Sequence, residues 1–152
     1  MSSPTNTSLA LTDEIKTLVN GALANGTPLL LAAVSPDAKP VASFRGSVQT
    51  YSDDQLGFWA RNAQGGTLDA IRANPNVVLV YRSPTTPLLQ FHGRARIASD
   101  EAERNQVFES APDREQAADP ERKGAAVIVD LDRVEGVLKF GPSGPEFVRL
   151  AR

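Results

Sequence analysis

The sequence predicts a mostly β fold, a small and mainly antiparallel barrel closed by short helices. Three observations predict it. Segments 41–49, 55–61 and 89–97 alternate in a two-residue period, as half-buried strands do. Turn chemistry recurs between apolar runs, at Pro36-Asp37-Ala38-Lys39, Ser52-Asp53-Asp54 and Gly141-Pro142-Ser143-Gly144-Pro145. Helical periodicity is confined to three short stretches. Closing such a sheet into a barrel removes its exposed edges.

The 152 residues suit one domain, 1–152, with residues 1–9 polar and expected to be disordered. Thr12 offers an N-cap, with Asp13 and Glu14 in the first helical turn. Leu11, Ile15, Leu18, Val19, Ala22 and Leu23 then recur at helical spacing until Gly26. Residues 29–34 form an apolar strand. The next strand carries Ala42, Phe44, Gly46 and Val48 on one face and Ser43, Arg45, Ser47 and Gln49 on the other.

After the 52–54 turn, Leu56, Phe58 and Ala60 face one way and Gly57, Trp59 and Arg61 the other. Gly65-Gly66 break this strand, and residues 67–73 form a helix ended by Asn74-Pro75. Residues 77–81 do not alternate, which predicts a strand covered on both sides. A proline-rich loop at 82–87 leads to the cleanest alternation in the chain: Leu89, Phe91, Gly93, Ala95 and Ile97 against Gln90, His92, Arg94 and Arg96. Ser99 is positioned to cap a polar helix to about 110, and 111–123 reads as a charged loop with at most a helical turn. Strands at 126–129 and 134–140 and an edge at 147–150 complete six or seven strands.

Composition excludes several functions. The formal charge of −2 gives no basic field for nucleic acid or acidic membrane. The absence of cysteine removes disulfides, thiol catalysis and zinc–thiolate sites. A single histidine, His92, cannot build a His-rich metal site. No apolar run approaches the roughly 20 residues that span a bilayer, and no secretory signal is evident, so a cytoplasmic protein is expected.

The residues able to bind a ligand lie in the stretch from Pro40 to Tyr81. Gly65-Gly66-Thr67 opens a helix, where free amides and the helix dipole attract anions. The same glycines also suit a plain strand-to-helix turn. Arg45, between Ser43 and Ser47, has the fork to pair with phosphate, or else lies on a solvated face. Trp59 and Arg61 offer a stacking surface and a charge, or a buried aromatic at a subunit contact. Asp53-Asp54 and Asp130-Leu131-Asp132 read as turn or strand-end carboxylates. No built-in acid, base or nucleophile stands out, so any chemistry belongs to a bound cofactor.

The order of these elements, with Phe58-Trp59-Ala60-Arg61, Asn74-Pro75 feeding an apolar strand and a later Gly93-Arg94-Ala95 strand, resembles the pyridoxamine 5′-phosphate oxidase-like family over about residues 12–140. The resemblance implies an FMN-binding split antiparallel β-barrel, homodimeric, with the cofactor at the subunit interface. It implies contacts at Ser43, Phe44, Arg45, Trp59, Ala60 and Arg61, the ribityl phosphate at Gly65, Gly66 and Thr67, and Gln90 and His92 approaching from the other subunit. Many members carry a basic Ser-Arg-Lys-type segment where this chain has Gly65-Gly66-Thr67. Some bind a deazaflavin or haem instead. The implied activity is flavin-dependent redox of a small molecule; a flavin carrier or sensor and a cofactor-free structural dimer are the alternatives.

Overall fold

The structure, a computed structural model, describes residues 9–152. The disorder expected of residues 1–8 lies outside the described residues, whereas Leu9 is buried in the core. The chain runs α1 (Asp13–Asn20), β1 (Leu29–Val34), β2 (Pro40–Arg45), β3 (Gln49–Ser52), β4 (Gln55–Ala60), α2 (Gly66–Ala73), β5 (Asn76–Arg82), β6 (Leu88–Ile97), α3 (Glu101–Ser110), α4 (Asp113–Ala117), β7 (Ala125–Gly141) and β8 (Gly144–Ala151). The fold is mostly β and antiparallel, as expected, with flanking helices.

All eight strands join one sheet, in the order β2-β1-β5-β6-β7-β4-β3, with β8 added to β7. β7 pairs with β6 along one edge and divides its other edge between two partners, residues 125–130 with β4 and residues 133–141 with β8. The edge strands β2 and β3 are consecutive in the chain, joined by residues 46–48 alone. Such a link spans roughly 14 Å at most, whereas a flat seven-strand sheet is roughly 29 Å wide. The sheet therefore curls until its edges approach. No ladder joins β2 to β3 among the described residues, which leaves a barrel split along that seam.

This seam corrects the reading of residues 41–49 as one alternating strand. Gly46 and Ser47 turn the chain out of β2, and Ser47 is buried on β4. Its Oγ accepts from the Trp59 N–H at 2.9 Å and donates to the Trp59 carbonyl at 3.1 Å, taking the place of a ladder neighbour. The paired carboxylates at 130 and 132 are also corrected. They sit within the continuous β7, facing Arg96 and Arg94 on β6, rather than at strand ends.

Smaller differences have local causes. The first helix stops at Asn20 with Gly21 as its C-cap, and Gly26, at φ +72°, ends the turns that follow instead. Asp100, not Ser99, caps α3, accepting from the Glu103 amide. α4 makes a fourth helix. In β5, Val77, Leu79 and Tyr81 are buried but Val78 and Val80 are only half-buried, so one face of that strand is not covered.

The barrel interior is filled by Leu29 and Leu31, Leu56 and Phe58, Leu79, Leu89 and Phe91, and Val127, Val129 and Leu131. α1 adds Ile15 and Val19, and α2 adds Leu68, Ala70 and Ile71. A second core lies behind β4 and β7, where α3 lays Val107 and Phe108 on Trp59, Ala126 and Ile128. No helix among the described residues is long and apolar enough to cross a membrane.

Candidate functional site

Arg45 is the residue on which the candidate site centres, since it lines two adjoining cavities. Directly paired residues share a face of the sheet, so Arg45, Ser43 and Val41 lie on the face of Leu29, Leu31 and Ala33, toward the interior. At this edge the interior face turns from apolar to polar. A cleft of about 400 Å³ opens there, lined by β1, β2, the 35–36 turn and Gly66, Thr67 and Asp69 of α2.

Arg45 crosses that cleft. Its Nε donates to Ser43 Oγ at 3.2 Å, its Nη2 donates to Thr67 Oγ1, and its guanidinium lies 5.7 Å from the centroid of the Phe58 ring. Burial and then the neighbouring Arg61 push its pKa down, while Glu115 pulls it up; a guanidinium stays charged throughout the physiological range. The solvated-face alternative is thereby removed for Arg45.

α2 begins beside this guanidinium. Gly65 occupies the N-cap in an extended conformation with no side-chain cap bond, so the first amides of the helix are left for another partner. A Cβ on Gly66 would meet nothing within 4 Å, so this glycine faces open space. Asp69, in the same first turn, is the one carboxylate on the cleft wall.

A second cavity, of about 300 Å³, adjoins the first through Arg45 and is lined also by Phe44, Gly46, Ser47, Trp59, Arg61, Asn62 and Glu115. The two cavities bring together eight of the expected residues: Ser43, Phe44, Arg45, Trp59, Arg61, Gly66, Thr67 and, next to them, Gly65. Ala60, by contrast, is buried in the barrel core.

The expected role of Trp59 needs correction. Its ring is only 4% exposed: Phe108 meets it edge-on at 4.9 Å and the Arg104 guanidinium covers a face at 4.7 Å. Its Nε1–H donates to Asp119 at 2.8 Å. These contacts leave no ring face for stacking a ligand. The aromatic is buried within its own chain rather than at a subunit contact, because α3 supplies the cover. Asp119 also accepts from the Lys123 and Gly124 amides. Burial opposes its ionisation, but these three bonds and the nearby Arg104 charge together outweigh it and hold the carboxyl below its ordinary value.

Phe44, Gln90 and His92 lie on the opposite face. The register runs Phe44–Leu30–Val80–Gln90 straight across four strands, and Ala42–Ala32–Val78–His92 in the row beside it. Phe44 is 70% exposed, and Leu30, Ala32, Val78 and Val80 are half-buried. Three strand spacings, about 14 Å, separate Gln90 from Phe44, so Gln90 and His92 do not join the Arg45 cleft within one chain. His92 Nε2 pairs with Gln90 Oε1 at 2.9 Å; burial and then Arg133 lower its pKa, against Glu135.

Sequence reasoning missed Asp69 and Glu115 as parts of the cavities. Asp69 was legible as the first-turn carboxylate of the glycine-led helix. Glu115 was not, because nothing local distinguishes it from the charged residues around it. No cluster of residues able to hold a metal ion occurs among the described residues.

Residues 11–137 match the family described as pyridoxamine 5′-phosphate oxidase. Among solved structures, HupZ of Group A Streptococcus is similar at TM-score 0.65 and 21% identity, covering 90% of this chain and 98% of that one. General Stress Protein 26 of Bacillus anthracis str. Sterne aligns at TM-score 0.64 and 19% identity, covering 90% and 99%. An FMN-binding protein of Syntrophomonas wolfei aligns at TM-score 0.65 and 9% identity, covering 84% and 89%. No curated protein matches the sequence.

Proposed function

Since the chain belongs to the pyridoxamine 5′-phosphate oxidase family, we propose that it binds FMN and performs redox chemistry on a small organic molecule. The observation that carries this reading is the meeting of Arg45 with Ser43 and Thr67 at the uncapped start of α2. The residues present fit a flavin phosphate: a guanidinium, a second one at Arg61, free helix amides and an open approach over Gly66. When bound, FMN supplies the hydride chemistry. The chain's own residues hold the phosphate end, orient the ring and exclude water.

The working unit in this reading is a homodimer. The outer row around Phe44 is an apolar surface of the kind that monomers seldom leave open. A second copy laid on that surface would bring its own Gln90 and His92 toward the flavin. Arg45 and Arg61 take over the task of the basic segment that Gly65-Gly66-Thr67 lacks.

One observation favours a second reading, a flavin carrier or sensor without turnover. The ionisable side chains lining the larger cleft are Arg45 and Asp69, and no histidine lines it to serve as a general acid or base. Purified protein should be yellow, or should acquire a flavin absorption band on adding FMN. Bleaching of that band by NADH, NADPH or another donor supports the oxidoreductase; no bleaching by any donor supports the carrier. A colourless protein that takes up no FMN at micromolar concentration ends both readings, and a haem absorption band in its place would put haem in the pocket.

A further inference from the structure

We propose that Glu115 selects the charge of the ligand at this site, disfavouring a dianionic phosphate relative to a ligand with one negative charge or none. The inference rests on the flavin reading above. Glu115 belongs to α4, in a stretch of the chain remote in sequence from β2, β4 and α2, yet its side chain reaches the second cavity beside Arg45 and Arg61. It is half-buried there. Its Oε1 rests on the backbone of Gly46, in the space a Cβ at that position would fill.

That contact gives the glycine a purpose. Gly46 has no positive φ to accommodate. A Cβ at 46 would overlap Glu115 Oε1 and crowd Leu23 Cδ1 at 3.2 Å, so a larger residue there would displace the carboxylate from its present seat. The Arg45 guanidinium donates to Ser43 and Thr67 rather than to this carboxylate. The carboxylate does act on Arg45 through space, raising that group's pKa against burial and Arg61.

The cavity therefore offers two positive charges and the negative charge of Glu115, while the first turn of α2 beside it adds the Asp69 carboxylate and no lysine or arginine. A phosphate dianion bound among them would face a like charge on the wall of the same cavity. A neutral ligand would not. Between charges that share a half-buried cavity, removing one shifts the affinity of a dianion by about tenfold.

The test measures dissociation constants for FMN and riboflavin by flavin fluorescence quenching, on the full chain, with melting temperature as a check on folding. FMN and riboflavin share the ring and differ in the phosphate, so their ratio isolates the charge effect. Glu115→Gln should tighten FMN about tenfold, leave riboflavin unchanged, and lose part of its advantage as salt rises. Glu115→Asp, which keeps the charge, should keep the wild-type ratio. Gly46→Ala, which displaces the carboxylate, should move the ratio in the direction of Glu115→Gln. If wild type binds FMN and Glu115→Gln changes neither constant by more than about twofold, against the tenfold expected from Coulomb's law, Glu115 has no such role and the flavin reading stands. Equal changes for both flavins likewise overturn it, as a packing effect. If neither flavin binds either protein, the flavin reading falls and this inference with it.

Discussion

Arg45 donates from Nη2 to Thr67 Oγ1, tying the end of an edge strand to the first turn of a helix 22 residues further on. This bond holds a guanidinium at the free amides of α2. Replacing Arg45 by Ala should therefore weaken FMN binding by about 10- to 100-fold, the range for charge-assisted hydrogen bonds. The fold should survive, because the guanidinium is only half-buried. Gly66→Leu should weaken FMN in the same way, since the new side chain would enter space that nothing in the chain fills. Fluorescence titration reads both, and unchanged affinity in both variants would move the phosphate elsewhere.

The outer row through Phe44 gives a second expectation. Phe44→Glu should convert a particle of twice the 16.2 kDa chain mass to a monomer in sedimentation, without a change in secondary structure by circular dichroism. A wild-type protein that sediments at 16.2 kDa at all concentrations would remove the dimer from the proposal.

Asp119 couples folding to acid. Its carboxyl is held below its ordinary value in the folded chain, so near pH 4 the unfolded chain binds more protons and stability rises with pH. The contribution is complete above the unfolded value, about 3.9, and is lost as pH falls through the lower folded one. Asp119→Asn should be less stable than wild type at pH 7, by about 1–3 kcal/mol for acceptors removed from buried donors. The gap should narrow toward pH 3. Urea denaturation at the two pH values measures it, and a pH-independent gap would contradict the assignment.

Gly124 and Gly66 make a matched pair. A Cβ on Gly124 would lie 2.7 Å from Trp59 Nε1 and 2.9 Å from Arg61 Cα, and would overlap the Ala60 carbonyl. Gly124→Ala should destabilise the protein by about 1–3 kcal/mol through overpacking. Gly66→Ala, in open space at a helix start, should leave the stability of the ligand-free protein unchanged or slightly higher. The two denaturation midpoints decide this, and equal effects would mean that the packing around Gly124 yields.

Much of the fold was legible because its signals are local. The alternation of 89–97 is reproduced residue by residue, with Leu89, Phe91 and Ala95 buried and Gln90, Arg94 and Arg96 exposed. Thr12 caps α1 through its hydroxyl at 3.3 Å from the Ile15 nitrogen. Leu56 and Phe58 on one side of β4 and Trp59 on the other follow the period-two reading. What that reading could not supply was what covers each face. Both faces of β4 are buried, since α3 packs on the Trp59 side, and a polar helix gives little sign of being a lid.

Side-chain chemistry within a few residues was enough for the faces of β4 and β6, the glycine-led helix start and the charge of Arg45. Tertiary structure alone decided that residues 41–49 divide between opposite edges of the sheet. It alone buried the Trp59 ring under Phe108 and Arg104, and it alone carried Glu115 from α4 to Gly46. The physical reason is that pairing and register are set by contacts between distant segments. A two-residue period says which side chains share a face, but not which strand or helix will meet that face.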